Sequence, residues 1–344
     1  MWQRAVLVRA SLNILPCLSD KKTYYLCAAQ TAILKVPGPM SNDNLPTLRD
    51  WLALILLVLI WGSSFILIKR GLVAFSAMEV GALRITISFL FLLPFAVSRI
   101  KRVPRSKWPV FFLAGLLGSG LPPFFFALAQ TVIDSYMAGV LNSLTPLFTL
   151  VAGLLFFGTR TRWLNVLGVV VGLAGAIGLL TAVNDPRLGN GILYGLYAVA
   201  GAVCYAFNMN IIKRYLGGFD AITITSVIFV FIGIPATIYL IAGTGFVHKV
   251  VNQPESWASL GYVAILAIVG TALSLVIHNW LIRRTSALFA SSVTYMMPIV
   301  SIVWGILDGE TFLIFYLAWI TLILVGVYLA NRPARRAVPP SPVP

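Results

Sequence analysis

Beyond residue 50 the chain is a succession of ten apolar segments, with short polar loops between them. A helix needs about 20 mainly apolar residues to cross a bilayer, and inside lipid a helix satisfies its own backbone N–H and C=O groups. We therefore predict an all-α integral membrane protein with ten transmembrane helices and no separate soluble domain. The predicted spans are 51–70, 78–98, 108–129, 132–157, 163–182, 190–212, 221–243, 258–282, 286–307 and 311–330.

Charge is sparse, since only 10% of the 344 residues are charged whereas 59% are hydrophobic. A soluble domain carries about 25% charged residues, so lipid is the expected solvent. The net charge of +15 invites a nucleic-acid-binding interpretation, but the Lys and Arg residues lie in short loops and form no basic face. We therefore expect the bilayer and a small-molecule substrate as partners, and no nucleic acid.

The two ends of the chain contain no segment long enough to span. Residues 1–50 form an expected N-terminal cytoplasmic tail, in which Met40 is a plausible true start. Residues 1–39 are then either an upstream mis-start or a disordered tail, and the sequence leaves both alternatives open. Residues 332–344 are rich in Pro and Arg, which predicts a disordered C-terminal tail.

The loops predict the orientation of the chain in the membrane. If the ten spans alternate in direction, 20 Lys and Arg residues fall on the side of the two termini and four on the opposite side. Cytoplasmic loops carry the excess of Lys and Arg. We therefore expect a multi-pass protein of the inner or plasma membrane with both termini in the cytoplasm.

The second half of the chain repeats the first. A shift of 152 residues, or of 144 near the repeat starts, superposes small residues, prolines and aromatic residues. The expected repeats are 51–182 and 190–331, with five spans each, so the second copy is inverted in the membrane. Matched positions include Gly118 and Gly270, Ser119 and Thr271, Pro146 and Pro298, and Trp61 and Tyr205.

Equivalent loops of the two halves carry opposite charge, as inversion requires. The loop 159–162 contains Arg160 and Arg162, whereas its counterpart contains Asp308 and Glu310. Inverted repeats are a transporter architecture, because two matched halves can exchange an outward-open for an inward-open shape. The alternative is a duplication without transport, as in some membrane scaffolds and enzymes.

Several short motifs occur in a familiar order: residues 59–65 read LIWGSSF, 82–84 ALR, 145–148 TPLF and 297–300 MPIV, with Gly309-Glu310 following. This order resembles the EamA family of the drug/metabolite transporter superfamily, over about residues 51–331. The resemblance implies ten helices in two five-helix repeats, a central cavity and, often, export of metabolites. One departure is that Gly158-Thr159 stands where a Gly-Glu pair commonly closes the fourth span.

Polar and aromatic side chains at mid-depth are the candidates for a substrate cavity. The alternative for each is a structural one, in which Ser, Thr and Asn bridge helices and aromatic rings pack or face lipid. Pro146 and Pro298 are hinge candidates, because proline frees a backbone carbonyl. The cavity candidates are Trp61, Ser63, Ser64, Arg84, Asn142, Thr145, Tyr205, Asn208, His278, Asn279, Thr294 and Tyr295.

Two ionisable candidates have specific roles to test. Arg84 is the basic residue that lies well inside a span. It either reaches the membrane interface or holds a carboxylate, which belongs to a neighbouring helix or to an anionic or zwitterionic substrate. His278 either couples proton flow or is a solvated residue near the membrane surface.

The expected function is transport of a small, amino-acid-like metabolite by alternating access, with export as the expected direction and no cofactor. Proton or ion coupling stays an open alternative. A lipid or nucleotide-sugar type flippase or exchanger of the same fold is the nearest rival. An intramembrane enzyme is less favoured, since neither catalytic pairs nor metal-ligand spacings occur within the spans.

The charge asymmetry generates a topology prediction. We expect a green fluorescent protein fused after Ala330 to fluoresce in bacterial cells, because the C terminus is cytoplasmic. Alkaline phosphatase fused at the same point should stay inactive. An active phosphatase fusion would contradict the predicted orientation.

Overall fold

The computed structural model describes residues 46–158, 162–182, 191–285 and 293–330, and the regular elements in these ranges are helices. Eight of the helices are long and apolar enough to cross a membrane. Two shorter apolar helices follow them, so the predicted all-helical membrane protein is confirmed. The helices are α1 Leu48–Gly71, α2 Ala77–Arg102, α3 Arg105–Ala129, α4 Ser135–Phe156, α5 Trp163–Ala182, α6 Gly191–Leu216, α7 Ala221–Ala242, α8 Ser256–His278 with its continuation to Arg284, α9 Val293–Leu307 and α10 Tyr316–Ala330.

Each predicted span overlaps one of these helices, with boundaries shifted by a few residues. The largest difference is in α10, which begins at Tyr316 where the sequence predicted residue 311. Predicted residues 286–292 of the ninth span lie outside the described ranges. A short helix, Phe246–Asn252, was not predicted, because seven residues give too little periodicity to recognise.

Capping residues explain where several helices begin. The side chain of Ser76 accepts a hydrogen bond from the backbone N–H of Glu79, and the carboxylate of Glu79 accepts one from the backbone N–H of Ser76. Asp220 caps α7 by accepting from the backbone N–H of Thr223 at 2.9 Å. Such side chains satisfy N–H groups that have no partner inside the helix.

Within the described ranges, three helices contain a π-helical turn, in which a backbone N–H bonds to the carbonyl five residues earlier instead of four. The turns are Leu116–Gly120 in α3, Ile212–Leu216 in α6 and Ile268–Leu273 in α8. Those in α3 and α8 start 152 residues apart, which is the shift of the sequence repeat. π-turns interrupt helices and are frequent at functional sites, yet no sequence signal identified them.

The two hinge candidates have different backbones. α4 consists of two helical segments, Ser135–Asn142 and Thr145–Phe156, and Pro146 lies in the first turn of the second. α9, in contrast, continues through Pro298 from Val293 to Leu307. The matched prolines therefore mark a break in one half and an uninterrupted described helix in the other.

Small residues let two helix pairs approach closely, α5 with α10 and α2 with α7. In the first pair, a Cβ atom added at Gly326 would overlap the backbone of Gly172 and would lie 2.6 Å from the carbonyl oxygen of Gly168. In the second, a Cβ atom at Gly233 would collide with the ring of Phe89. Close backbone approach at glycine is a common basis of helix association in membranes.

The α5–α10 contact predicts a stability difference between two glycine positions. Gly326→Ala should lower the unfolding free energy by about 1–3 kcal/mol, the usual cost of overpacking. Gly261→Ala in α8 should have no such cost, because a Cβ atom there meets nothing within 4 Å. Thermal unfolding of the two detergent-purified variants would measure the difference, and equal melting temperatures would contradict it.

Candidate substrate site

Three helices meet at the π-turn of α8. From α2, Nε of Arg84 donates a hydrogen bond to Oγ1 of Thr271 at 3.1 Å. From α1, Nε1 of Trp61 donates to the carbonyl of Gly270 at 3.2 Å and to Oγ of Ser274 at 2.9 Å. Because the guanidinium points across to α8, Arg84 faces a neighbouring helix.

Tyr205 of α6 joins this group, since its side chain interacts with Arg84. Its ring also stacks on Phe126 of α3, with 5.9 Å between the ring centroids. At the positions that the repeat relates to these two, the rings of Trp61 and His278 have centroids 5.0 Å apart. The two aromatic pairs occupy positions related by the shifts of 144 and 152 residues.

A second pair of contacts follows the same relation and involves the π-turn glycines. A Cβ atom at Gly270 would lie 3.1 Å from Oγ of Ser64, and one at Gly118 would collide with the side chain of Asn208. Oδ1 of Asn208 is buried and has no hydrogen-bond partner among the described residues. The structure thus brings six of the candidates to the two π-turns: Trp61, Ser64, Arg84, Tyr205, Asn208 and His278.

Other candidates lie apart from this group. The hydroxyl of Tyr295 donates to the carbonyl of Val327 at 3.3 Å, so it reaches α10. Oγ of Ser63 accepts from Nε1 of Trp304 at 2.7 Å, and Trp304 is 41% exposed. Thr294 is half-buried at the start of α9. The side chain of Asn279 lies outside the described residues.

The last two candidates, Asn142 and Thr145, flank the break in α4. The hydroxyl of Thr145 donates to the carbonyl of Asn142 at 2.8 Å. That carbonyl is four residues before Pro146, which has no N–H to bond it. A side chain therefore replaces the backbone hydrogen bond that the proline removes.

One ionic group at an end of the bundle was missed by the sequence analysis. We call it the Lys69 cluster, and it consists of Lys69, Arg70, Asp308 and Glu310. Nζ of Lys69 lies 2.7 Å from a carboxylate oxygen of Asp308 and 2.7 Å from one of Glu310, while Arg70 pairs with Asp308. These carboxylates are 8% and 1% exposed, so the pairs are largely shielded from water.

Glu310 also binds the start of α4. Its two carboxylate oxygens accept hydrogen bonds from the backbone N–H groups of Ser135 at 2.9 Å and Tyr136 at 3.3 Å. Asp134 occupies the N-cap position of α4, yet its side chain makes no capping hydrogen bond. Burial, with the charge of Glu310 as a second cause, raises the pKa of Asp134 to about 6.

A second ion pair lies near the loop that joins the C-terminal end of α1 to the N-terminal end of α2. Nζ of Lys249, in the short helix, is 2.6 Å from a carboxylate oxygen of Glu79. Phe246 of that helix packs its ring against Phe75, with centroids 5.5 Å apart. Lys249 and Glu79 are 170 positions apart, so sequence spacing gave no signal for the pair.

Comparison with known proteins gives consistent matches. The sequence profile described as the EamA-like transporter family matches residues 50–181 and again residues 192–332. A protein of Archaeoglobus fulgidus named as an uncharacterized transporter is 27% identical, with 83% of this chain and 99% of the relative aligned. The inner membrane transporter YedA of Escherichia coli, also named as uncharacterized, is 28% identical, over 84% and 94%.

A plant protein and a solved structure also match the chain. A WAT1-related protein of Arabidopsis thaliana is 25% identical, with 69% of this chain and 75% of the relative aligned. A solved crystal structure superposes with a TM-score of 0.54 at 23% identity, covering 84% of this chain and 99% of that one. At this identity the crystal structure shows a shared fold.

Proposed function

The chain belongs to the EamA-like transporter family, and from this membership and the contacts of Arg84 we propose that it carries a small, carboxylate-bearing metabolite across the cell membrane. It is a multi-pass membrane transporter. Its substrate class, its ten spans, its cytoplasmic termini and its inverted repeats are parts of the proposal. The observation that carries the substrate class is a cation within the membrane-spanning region that has no carboxylate partner among the described residues.

The charge balance around Arg84 supports an anionic group on the substrate. The described ion pairs involve Lys69, Arg70, Arg99 and Lys249, and none of them involves Arg84. A charged side chain inside a membrane is costly and usually pairs with an opposite charge. Arginine presents a planar fork that matches a carboxylate, so a substrate carboxylate would supply the missing charge.

The aromatic rings beside Arg84 support an apolar body on the same substrate. Trp61 and Arg84 contact neighbouring residues of one π-turn, and Tyr205 interacts with the guanidinium. A carboxylate held by Arg84 would therefore lie near indole and phenol surfaces. Amino acids with aromatic or branched aliphatic side chains have this combination of groups.

The helix contacts support alternating access between two inverted repeats. The counterpart of each helix in the first half lies five helices later, so α1 corresponds to α6, α3 to α8 and α4 to α9. The α1–α9 contact then corresponds to α6–α4, and α1–α8 corresponds to α6–α3, and all four contacts are present. The α2–α7 and α5–α10 contacts become themselves. Such pairs can interconvert by motion of one half against the other. The excess of Lys and Arg on the side of the termini supports cytoplasmic termini, and the family resemblance supports export.

Arg84 gives the direct test of the substrate class. Phenylalanine and leucine should enter proteoliposomes containing the protein, whereas phenethylamine and isoamylamine, which lack only the carboxylate, should not. Arg84→Gln should reduce amino-acid transport about 10- to 150-fold, since hydrogen bonds to charged groups contribute about 1.5–3 kcal/mol. Arg84→Lys should restore part of the rate, because lysine keeps the charge but not the fork.

The matched control is Arg99→Gln, which removes a cation from the far end of α2 and should transport at the wild-type rate. Transport is compared at equal protein content in the vesicles. If Arg84→Gln and wild type take up the amino acids equally fast, Arg84 is an anchor and the proposed substrate class is wrong.

The hinge prolines predict a second effect on transport. Pro146→Ala should slow transport several-fold at unchanged melting temperature, because alanine restores the backbone hydrogen bond to Asn142 and straightens α4. Pro298→Ala should have a smaller effect, since α9 is already continuous. Initial rates and thermal unfolding of both variants measure this, and unimpaired transport by both would exclude a hinge role.

A further inference from the structure

The start of α4 has two carboxylates within reach and is capped by the distant one. Glu310, which follows α9, accepts the N–H groups of Ser135 and Tyr136. Asp134 is the residue that normally caps such a helix, and its backbone is in the extended conformation typical of an N-cap, with φ −61° and ψ 153°. An N-cap side chain accepts from the second or third N–H group of its helix, and Glu310 holds the second one, that of Tyr136.

We propose that Glu310 and Asp134 alternate as the cap of α4, and that this exchange is the outer gate of the transport cycle. The proposal rests on the alternating-access function and on the orientation proposed above. In the closed state Glu310 ties the end of α9 to the start of α4 and, through Lys69, to the end of α1. In the open state these three helix ends separate, and Asp134 caps α4 alone.

Cap exchange removes part of the cost of opening. Glu310 leaves two backbone N–H groups when the gate opens, and a helix end without a capping side chain is less stable. Asp134 can accept from the N–H groups of Tyr136 and Met137 once Glu310 has moved away. Lys69 is already 36% exposed, and the shielded carboxylate of Asp308 gains water when the helix ends separate.

The exchange also couples the gate to protons. In the closed state burial, and after it the charge of Glu310, raise the pKa of Asp134 to about 6, against the opposing charge of Lys69. In the open state the Glu310 charge is gone and the helix N-terminus stabilises the carboxylate, so the pKa is lower. A state with the lower pKa is favoured as pH rises. Opening therefore releases a proton, and acid outside keeps the gate closed.

The ionisable groups of this region are Lys69 and Arg70 on α1, Tyr136 on α4, Asp308 and Glu310 after α9, and Tyr316 on α10.

The gate can be measured without a substrate by the accessibility of a buried thiol. Ser64 is 7% exposed and lies seven residues before the end of α1. In a chain whose native cysteines are replaced by alanine, Ser64→Cys is labelled from outside intact cells with a membrane-impermeant maleimide. Val251→Cys, at a position 74% exposed, corrects for the intrinsic pH dependence of the thiol reaction.

Variants at the two carboxylates should have opposite effects. Glu310→Gln should speed labelling about tenfold, the effect of weakening one hydrogen bond to a charged group. Asp134→Ala should slow it, because the open state loses its cap. Asp134→Asn should still open, since asparagine also caps helices, but without dependence on pH. Wild-type labelling should rise by up to about tenfold per pH unit below pH 6 and then level off.

Glu79→Gln is the matched control, because the described hydrogen bonds and ion pair of Glu79 are with Ser76 and Lys249 and not with α4. It should label at the wild-type rate. If Glu310→Gln does not fold, Lys69→Gln replaces it and should also speed labelling. Cap exchange is overturned if Glu310→Gln, or Lys69→Gln in its place, is labelled at the wild-type rate. It is equally overturned if Asp134→Ala is labelled at the wild-type rate. The Arg84→Gln transport result, which tests the proposed function, would be unaffected.

Discussion

Lipid offers no hydrogen bonds, so each polar group of a membrane-spanning helix must find its partner within the protein or in a bound molecule. This constraint explains where the charges of the described residues lie. The carboxylates Glu79, Asp308 and Glu310 are at helix ends, where each has a lysine partner or an arginine partner. Arg84 is the exception, because its described hydrogen bond is to a neutral hydroxyl. The same rule that stabilises the bundle is therefore the basis on which we propose this cation as the binding group.

Much of the architecture follows from sequence because lipid imposes it. The length of an apolar run fixes a spanning helix, so each predicted span overlaps a helix. The 152-residue shift identified Gly118 and Gly270 as equivalent, and both lie in π-turns. The π-turns could not be predicted, since a local change in the hydrogen-bonding pattern needs no change in the apolar composition of the helix. The contacts of Glu310 were also hidden, because its partners lie about 175 and 241 residues away in sequence.

The two halves share a backbone but differ in charge. Gly158 and Gly309 both have positive φ angles, 66° and 80°, at the ends of α4 and α9. Glutamate follows the second glycine and threonine follows the first. A left-handed residue is needed to end either helix, and glycine adopts it without strain. The two helices therefore end in the same way, while the carboxylate that bridges to another helix follows only the second of these glycines.

This difference has a consequence for the proposed cycle. α1 carries Trp61 and Ser64 at the π-turn of α8 and Lys69 at the end bound to Glu310. Five residues of helix separate Ser64 from Lys69, about 7.5 Å along the axis. A helix transmits a rigid displacement over this distance, so a substrate that shifts α1 at the site also strains the Lys69 cluster. Because the other half has threonine in place of Glu310, that strain acts on one end of the bundle. In the proposed cycle, opening the bundle at the end that holds the Lys69 cluster then costs a different free energy from opening it at the other end. A transporter with a preferred direction of loading requires such a difference.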